Sequence, residues 1–200
     1  MDRGLLSMYH RHQEHVWLGN LVERIEGALE EMGLMDRLAR PPAMCFLDLV
    51  GYTRLTEEEG DQAAAELAAS LAGVVQGVSL HHGGRAVKWL GDGVMFFFPD
   101  PGEGVRSALE MVDETSAAGL PPAHVGLHAG PVVQQDGDYF GRTVNLASRI
   151  AGQAGQGEVL VSEEVVASAG QVEGARFEDA GLAELKNVAR PVRLWRATAG

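Results

Sequence analysis

AMCFLDLVGYT, Ala43 to Thr53, is the stretch on which the reading of this chain turns, together with AVKWLGDGVMFFF, Ala86 to Phe98. Each places an aspartate at or just past the end of an apolar run short enough to be a buried strand. An ionised carboxylate beside such a core is costly unless its charge is compensated. Asp48 and Asp92 can answer that cost jointly by holding divalent metal, because hard cations such as Mg2+ take carboxylate oxygens and commonly sit with substrate phosphates. Taken singly, either aspartate also suits a helix cap or a turn, and Asp-Gly is a routine hairpin signal.

Outward from these runs, Ala43–Leu49 predicts the first strand, with a turn at Gly51 and a short helix over 54–59. The alanine-rich stretch Asp61–Leu80 predicts a longer helix. Gly83-Gly84 then opens a hairpin of Arg85–Leu90 and Val94–Phe98, ended by Pro99 and Pro101. A helix is expected over Gly104–Ala117, then a strand His124–Leu127 running on through Gly130-Pro131 into Val132–Gln134. Asp136-Gly137 turns the chain toward a helix over Thr143–Ala151. Glu158–Val161 reads as a strand, Ser162 as the cap of a short helix, and Ala175–Glu184 and Val192–Ala197 as closing strands. The order predicts an α+β domain of the ferredoxin-like kind, with helices covering one side of a largely antiparallel sheet.

Toward the N-terminus, Trp17, Leu18, Leu21, Val22, Ile25, Leu29 and Met32 recur at helical spacing within Val16–Leu38. Such a helix must bury its stripe on the domain behind it or on a twin from another chain. Arg40-Pro41-Pro42 stops it, dividing the chain into an N-terminal helical segment, 1–40, and a domain over 41–198. His10, His12 and His15 read as part of a frayed polar terminus rather than as a metal site.

Two hundred residues make one ordinary domain plus an appendage, and 46% hydrophobic with 22% charged residues is a globular composition. A net charge of -12 argues against broad binding to nucleic acid or anionic membrane. An acidic protein acting on a polyanion needs metal and a few well-placed cations. The single cysteine, Cys45, excludes an internal disulfide and reads as a small core residue. No apolar run is read as approaching the ~20 residues of a membrane span, and the first residues lack the apolar centre of a signal peptide. A cytoplasmic location is expected.

The blocks FLDLVGYTRLTEEEGD, VKWLGDGVMFFF, GLHAGPV and DYFGRTVNLASRI, in this order, resemble the signatures of class III nucleotidyl cyclases, the catalytic domain of adenylyl and guanylyl cyclases. The resemblance runs from about Pro42 to Ala197 and is strongest to the bacterial adenylyl cyclases. It implies conversion of ATP or GTP to the 3′,5′-cyclic nucleotide and pyrophosphate, with two Mg2+ or Mn2+ ions per site. It assigns metal binding to Asp48, Asp92 and the backbone carbonyl of Leu49. The reaction suits two metals, one acidifying the ribose 3′-hydroxyl and one holding the leaving phosphates.

Asn145 and Arg149 are four apart and share one helix face. The resemblance gives Asn145 to the ribose and Arg149 to the charge that builds on the α-phosphate, which a permanently charged, two-pronged donor suits. Without it, a solvated helical Arg and an Asn beside a cap are the favoured reading of the pair. Lys88 and Asp138 match the adenine-reading Lys and Asp of adenylyl cyclases, where guanylyl cyclases usually have Glu and a small residue. Asp136 is close by, and the spacing to Asn145 selects Asp138. Lys186 falls at a family lysine for the terminal phosphates, although Asn187 follows it where Gly is common. Arg85, Arg106 and Arg142 read as surface, His128 as a buried structural histidine rather than a general base.

The resemblance further implies that each site takes its metal aspartates from one subunit and its base- and phosphate-binding residues from another. A homodimer then has two equivalent sites. The N-terminal helix is well placed to hold the pair, and an upstream sensor domain or partner fits the pattern. A guanylyl or dual-specificity cyclase, a nucleotide-binding regulatory module and a bare oligomerisation domain stay open as alternatives.

Overall fold

A computed structural model describes residues 41–52, 57–58, 60–90, 93–135 and 137–200. The helix expected over Val16–Leu38 and the rest of 1–40 lie outside the described residues, as do Asp92, Asp136 and most of the short helix expected over 54–59. The described elements are β1 (Ala43–Leu49), α1 (Asp61–His81), β2 (Arg85–Leu90), β3 (Gly93–Phe98), α2 (Pro101–Ala117), β4 (Ala123–Ala129), β5 (Val133–Gln135), β6 (Asp138–Phe140), α3 (Arg142–Ala151), β7 (Val159–Ser162), α4 (Glu163–Ala169), β8 (Ala175–Ala183) and β9 (Val192–Ala199).

β1 is central because its residues are apolar on both faces. Ala43, Cys45, Leu47 and Leu49 point one way, Met44 and Phe46 the other. It pairs antiparallel with β3 and with β4 in a seven-stranded sheet ordered β2-β3-β1-β4-β7-β9-β8. Among the described pairings only β4 with β7 is parallel, so the largely antiparallel α+β sheet expected from the sequence is the one found.

The helices do not all cover one side. Leu71, Val75 and Val78 of α1, Val105, Ala108 and Met111 of α2, and Val165 of α4 pack on the face that carries Cys45 and Leu47. α3 lies on the opposite face, where Leu146 and Ile150 meet Leu160, Leu185 and Leu194, and Ala147 meets Met44, Met95 and Tyr139. Its sequence allows this because Thr143, Leu146, Ala147, Ile150 and Ala151 form a buried stripe opposite exposed Arg142, Asn145, Ser148 and Arg149.

Two glycines of β4 and its exit seat α3. A Cβ on Gly126 would come 2.0 Å from the backbone nitrogen of Ala151, and one on Gly130 would come 2.6 Å from Thr143 Oγ1. The Thr143 hydroxyl donates to the Pro131 carbonyl at 2.6 Å, anchoring the first turn of the helix to the same segment.

Three expected boundaries shift, each for a backbone reason. β4 stops at Ala129 instead of running into Val132–Gln134, since Gly130 N–H donates to the Pro42 carbonyl and Pro131 has no N–H for a ladder. The chain then forms a separate two-stranded ribbon of β5 and β6, so Asp138 lies on a strand. α2 begins at Pro101, not Gly104: Asp100 caps it by accepting from Gly102 N and Glu103 N, and proline suits the first helical position.

The expectation that no run approaches membrane-spanning length is also corrected. Gln62–His81 has the length and apolar composition of a span, and here Leu71, Val75 and Val78 turn that character onto the sheet. Cys45 is fully buried, and burial pushes its thiol far above the ordinary value, so it behaves as the core residue expected.

His128 is buried, as expected of a structural histidine, and shares a 2.7 Å hydrogen bond from Nδ1 with Ser162 Oγ. Ser162 therefore occupies the N-cap position of α4 without its hydroxyl capping the helix. Burial lowers the His128 pKa, with Glu164 (3.6 Å from Nδ1) opposing and Arg142 reinforcing the shift. A histidine favoured neutral in the fold costs stability as pH drops below its unfolded value, because the unfolded chain takes up the proton first.

Two predictions follow from this packing. Gly126→Ala should lower stability by about 1–3 kcal/mol, read as a Tm drop of several degrees, whereas Gly73→Ala on open α1 surface should leave Tm equal or slightly raised. Equal Tm values for Gly126→Ala and wild type would remove the seating argument. His128→Asn should flatten the loss of Tm between pH 7 and pH 5.5 relative to wild type, measured by thermal unfolding across that range.

Candidate active site

Asp48 ends β1 on the α3 face of the sheet, opposite Gly93 on β3 and His124 on β4. Leu49 N–H donates to Asp48 Oδ1 at 3.1 Å, fixing the carboxylate at the strand end. A Cβ at residue 93 would fall 3.2 Å from the Leu47 carbonyl and 3.4 Å from Asp48 Oδ1, so any larger residue there would crowd the carboxylate. A part-exposed carboxylate with a backbone carbonyl nearby is an oxygen donor set, which fits Mg2+ or Mn2+ better than a soft metal. Asp92 directly precedes Gly93 but lies outside the described residues; Leu49 is buried and pairs with Ala123.

His124 is a site residue that sequence reasoning missed. Its Nδ1 donates to the Ala151 carbonyl at 2.8 Å, while Nε2 lies 3.9 Å from Asp48 Oδ2. It thus links the last turn of α3 to the carboxylate. Its ladder position across from Asp48 was the available signal, but that is visible only once β1 and β4 are known to be neighbours.

Lys88 and Asp138, fifty residues apart, meet with Lys88 Nζ donating to Asp138 Oδ2 at 2.6 Å. Burial works to raise the Asp138 pKa, but the Lys88 hydrogen bond, the Tyr139 N–H at 2.9 Å and the Lys88 charge together hold the carboxyl below its ordinary value. It stays an ionised acceptor at neutral pH, and the contact weakens only as acid protonates it. Lys88 is half exposed. Exposed pairs of this kind are worth under about 1 kcal/mol, so the two groups separate cheaply to receive a ligand between them.

Arg85 is exposed, as read from the sequence, and also holds this pair in register. Its guanidinium lies 5.0 Å from the Phe97 ring centroid and 5.4 Å from that of Tyr139, and it donates to the Tyr139 hydroxyl. Phe97 and Tyr139 stack with centroids 4.6 Å apart. The stack ties the β5–β6 ribbon to β2 and β3 and so brings Asp138 to Lys88.

Asn145 and Arg149 both lie on the exposed side of α3. Lys186 is exposed in the turn between β8 and β9, beside Leu185, which packs against Leu146 and Ile150 of α3. Asn187 has φ 62, the left-handed conformation that glycine would adopt there, and asparagine tolerates it better than most residues. The departure from glycine thus keeps the turn. The chain brings Lys88 to Asp138 and ties Asp48, Asn145 and Arg149 to one sheet face through β1, His124 and α3.

Residues 40–195 match the family described as the adenylate and guanylate cyclase catalytic domain. A pH-sensitive adenylate cyclase of Mycobacterium tuberculosis is 33% identical over 166 residues, covering 81% of this chain and 42% of that protein. An adenylate cyclase of Streptomyces coelicolor is 35% identical over 152 residues, covering 74% of this chain and 39% of its own length. The chain therefore spans about two fifths of the length of these relatives. The crystal structure of the adenylyl cyclase CyaB from P. aeruginosa superposes with a TM-score of 0.71 at 24% identity, over 80% of this chain and 95% of that one, and shares its fold. With the sheet, the ribbon and α3 arranged as described, the chain belongs to the adenylate and guanylate cyclase catalytic domain family.

Proposed function

We propose that this domain is an adenylyl cyclase catalytic unit, converting ATP to 3′,5′-cyclic AMP and pyrophosphate at sites shared across a homodimer. The observation that carries the adenine reading is the Lys88–Asp138 contact at 2.6 Å, a cation donor and an ionised acceptor side by side on the α3 face. Adenine offers a ring nitrogen that accepts and an amino group that donates, and the pair answers both. Guanine inverts that pattern and meets a mismatched pair, which is costly where polar groups are left unpaired.

In this reading Asp48, Asp92 and the Leu49 carbonyl would hold two Mg2+ or Mn2+ ions. Bound there, the ions would acidify the ribose 3′-hydroxyl and neutralise the leaving phosphates. Asn145 orients the ribose, Arg149 meets the charge developing on the α-phosphate, and Lys186 meets the terminal phosphates. The 3′-oxygen attacks the α-phosphorus, its proton is lost to solvent, and pyrophosphate departs. His128 takes no part, being buried against Ser162.

The exposure of Asn145 and Arg149 supports their meeting a second chain, whose Asp48 and Asp92 complete the site. The apolar stripe within Val16–Leu38 suits a role in holding the two domains together, through which an upstream sensor domain or partner would act.

Cyclic AMP formation with Mg2+ or Mn2+ is the direct test. Arg149→Ala should lower kcat about 100-fold or more, and Asp48→Ala should abolish it. Mixing the two inactive variants should restore part of the activity; demonstrated heterodimers without any rescue would sink the shared-site geometry. Lys88→Ala should cut kcat/KM for ATP about tenfold with a smaller effect on GTP. An unchanged ATP-to-GTP ratio would reject the adenine reading.

A further inference from the structure

On the sheet face opposite Asp48, the end of α1 meets α2 through a cluster that the cyclase chemistry does not use. His82, the C-cap of α1, has its side chain only 10% exposed. Its Nδ1 lies 2.9 Å from Glu103 Oε2 and its Nε2 2.7 Å from Glu110 Oε2. Both contacts are hydrogen bonds only when both ring nitrogens carry protons. His81 stands beside it with ring centroids 5.1 Å apart, and one ligand atom from each of His81, His82 and Glu110 lies within 4.8 Å of the others.

We propose that His81, His82 and Glu110 form a transition-metal site that staples α1 to α2. Donors around a tetrahedral ion at about 2.1 Å sit roughly 3.4 Å apart, so the three atoms close on an ion through small rotations of exposed His81 and part-exposed Glu110. Two imidazoles and one carboxylate select Zn2+ or Co2+ over Mg2+, which prefers an all-oxygen shell. The ion takes the place of the His82 Nε2 proton, which is released, while Nδ1–H continues to donate to Glu103 and fixes the ring. Glu103 is in turn held by Arg106 at 2.5 Å. The C-terminal end of α1 adds a partial negative charge that favours a cation at this point.

The site bears on the rest of the molecule through its position in the chain. His82 leads through Gly83 and Gly84 directly into β2, and a Cβ on Gly84 would strike the Phe98 ring at 2.1 Å. Clamping the end of α1 therefore fixes the start of the strand that carries Lys88.

The test uses the full chain with His10, His12 and His15 replaced by alanine, in saturating Mg2+, so that neither the terminal histidines nor the Asp48 site competes. One equivalent of Co2+ should give a ligand-field spectrum in the visible. Zn2+ at a hundredfold excess over its Kd should raise Tm by about 5 °C or more. His81→Ala, at an exposed ring outside the His82–glutamate contacts, should leave Tm in chelator unchanged while weakening Co2+ binding at least tenfold and abolishing the Zn2+ shift. Glu110→Gln should do the same to both metals. Absence of stoichiometric Co2+ binding overturns the proposal, as does binding that His81→Ala and Glu110→Gln leave intact.

Discussion

The contact between β4 and α3 at Gly126 sets where every other part of the site can stand. Backbone meets backbone there, with room for a hydrogen and nothing larger in front of Ala151. Close packing of this kind cannot be relaxed by rotating a side chain, since the obstructing atoms belong to the main chain. The helix is thereby set low on the sheet at its C-terminal end, while Gly130 and the Thr143–Pro131 bond set its first turn. His124 then fastens the last carbonyls of the helix beside the carboxylate of Asp48.

The two faces of the sheet divide the labour. One carries the larger apolar core, built from β1, β3, β4 and β7 under α1, α2 and α4. The other is thinner, made of two smaller apolar clusters around α3 and the β5–β6 ribbon, and the polar groups of the site surround these. Stability is concentrated on the first face and chemistry on the second, an arrangement that lets charged residues stand at strand ends without being buried.

Most of the strands and helices were legible because their periodicity is strong: β1, β2, β3, α3 and the two closing strands fall within a few residues of where the sequence put them. Lys88, Asp138, Asn145 and Arg149 were named from the motif blocks and Lys186 from a family position beyond them, and Lys88 and Asp138 lie in contact. What stayed hidden depends on neighbours distant in sequence. The block GLHAGPV offered no chemistry, and its glycines make sense only when α3 is seen resting on them. Arg85 is the surface cation expected, but nothing in a linear reading joins it to Phe97 and Tyr139. The face chosen by α3 was misread since a helix stripe says that it packs, not on which side of a sheet.

Among the described residues, the β5–β6 ribbon pairs its backbone with itself and not with the seven-stranded sheet, which it meets through side chains. One half of the Lys88–Asp138 pair is therefore mounted on the large sheet and the other on a short lever clipped to it by an arginine and two rings. Leverage follows: a small tilt of the ribbon changes the gap between the two jaws while moving only the smaller apolar cluster that Tyr139 shares with Met44, Met95 and Ala147. A force or partner that touches only the lever would shift the Lys88–Asp138 spacing while leaving the larger core under α1, α2 and α4 in place.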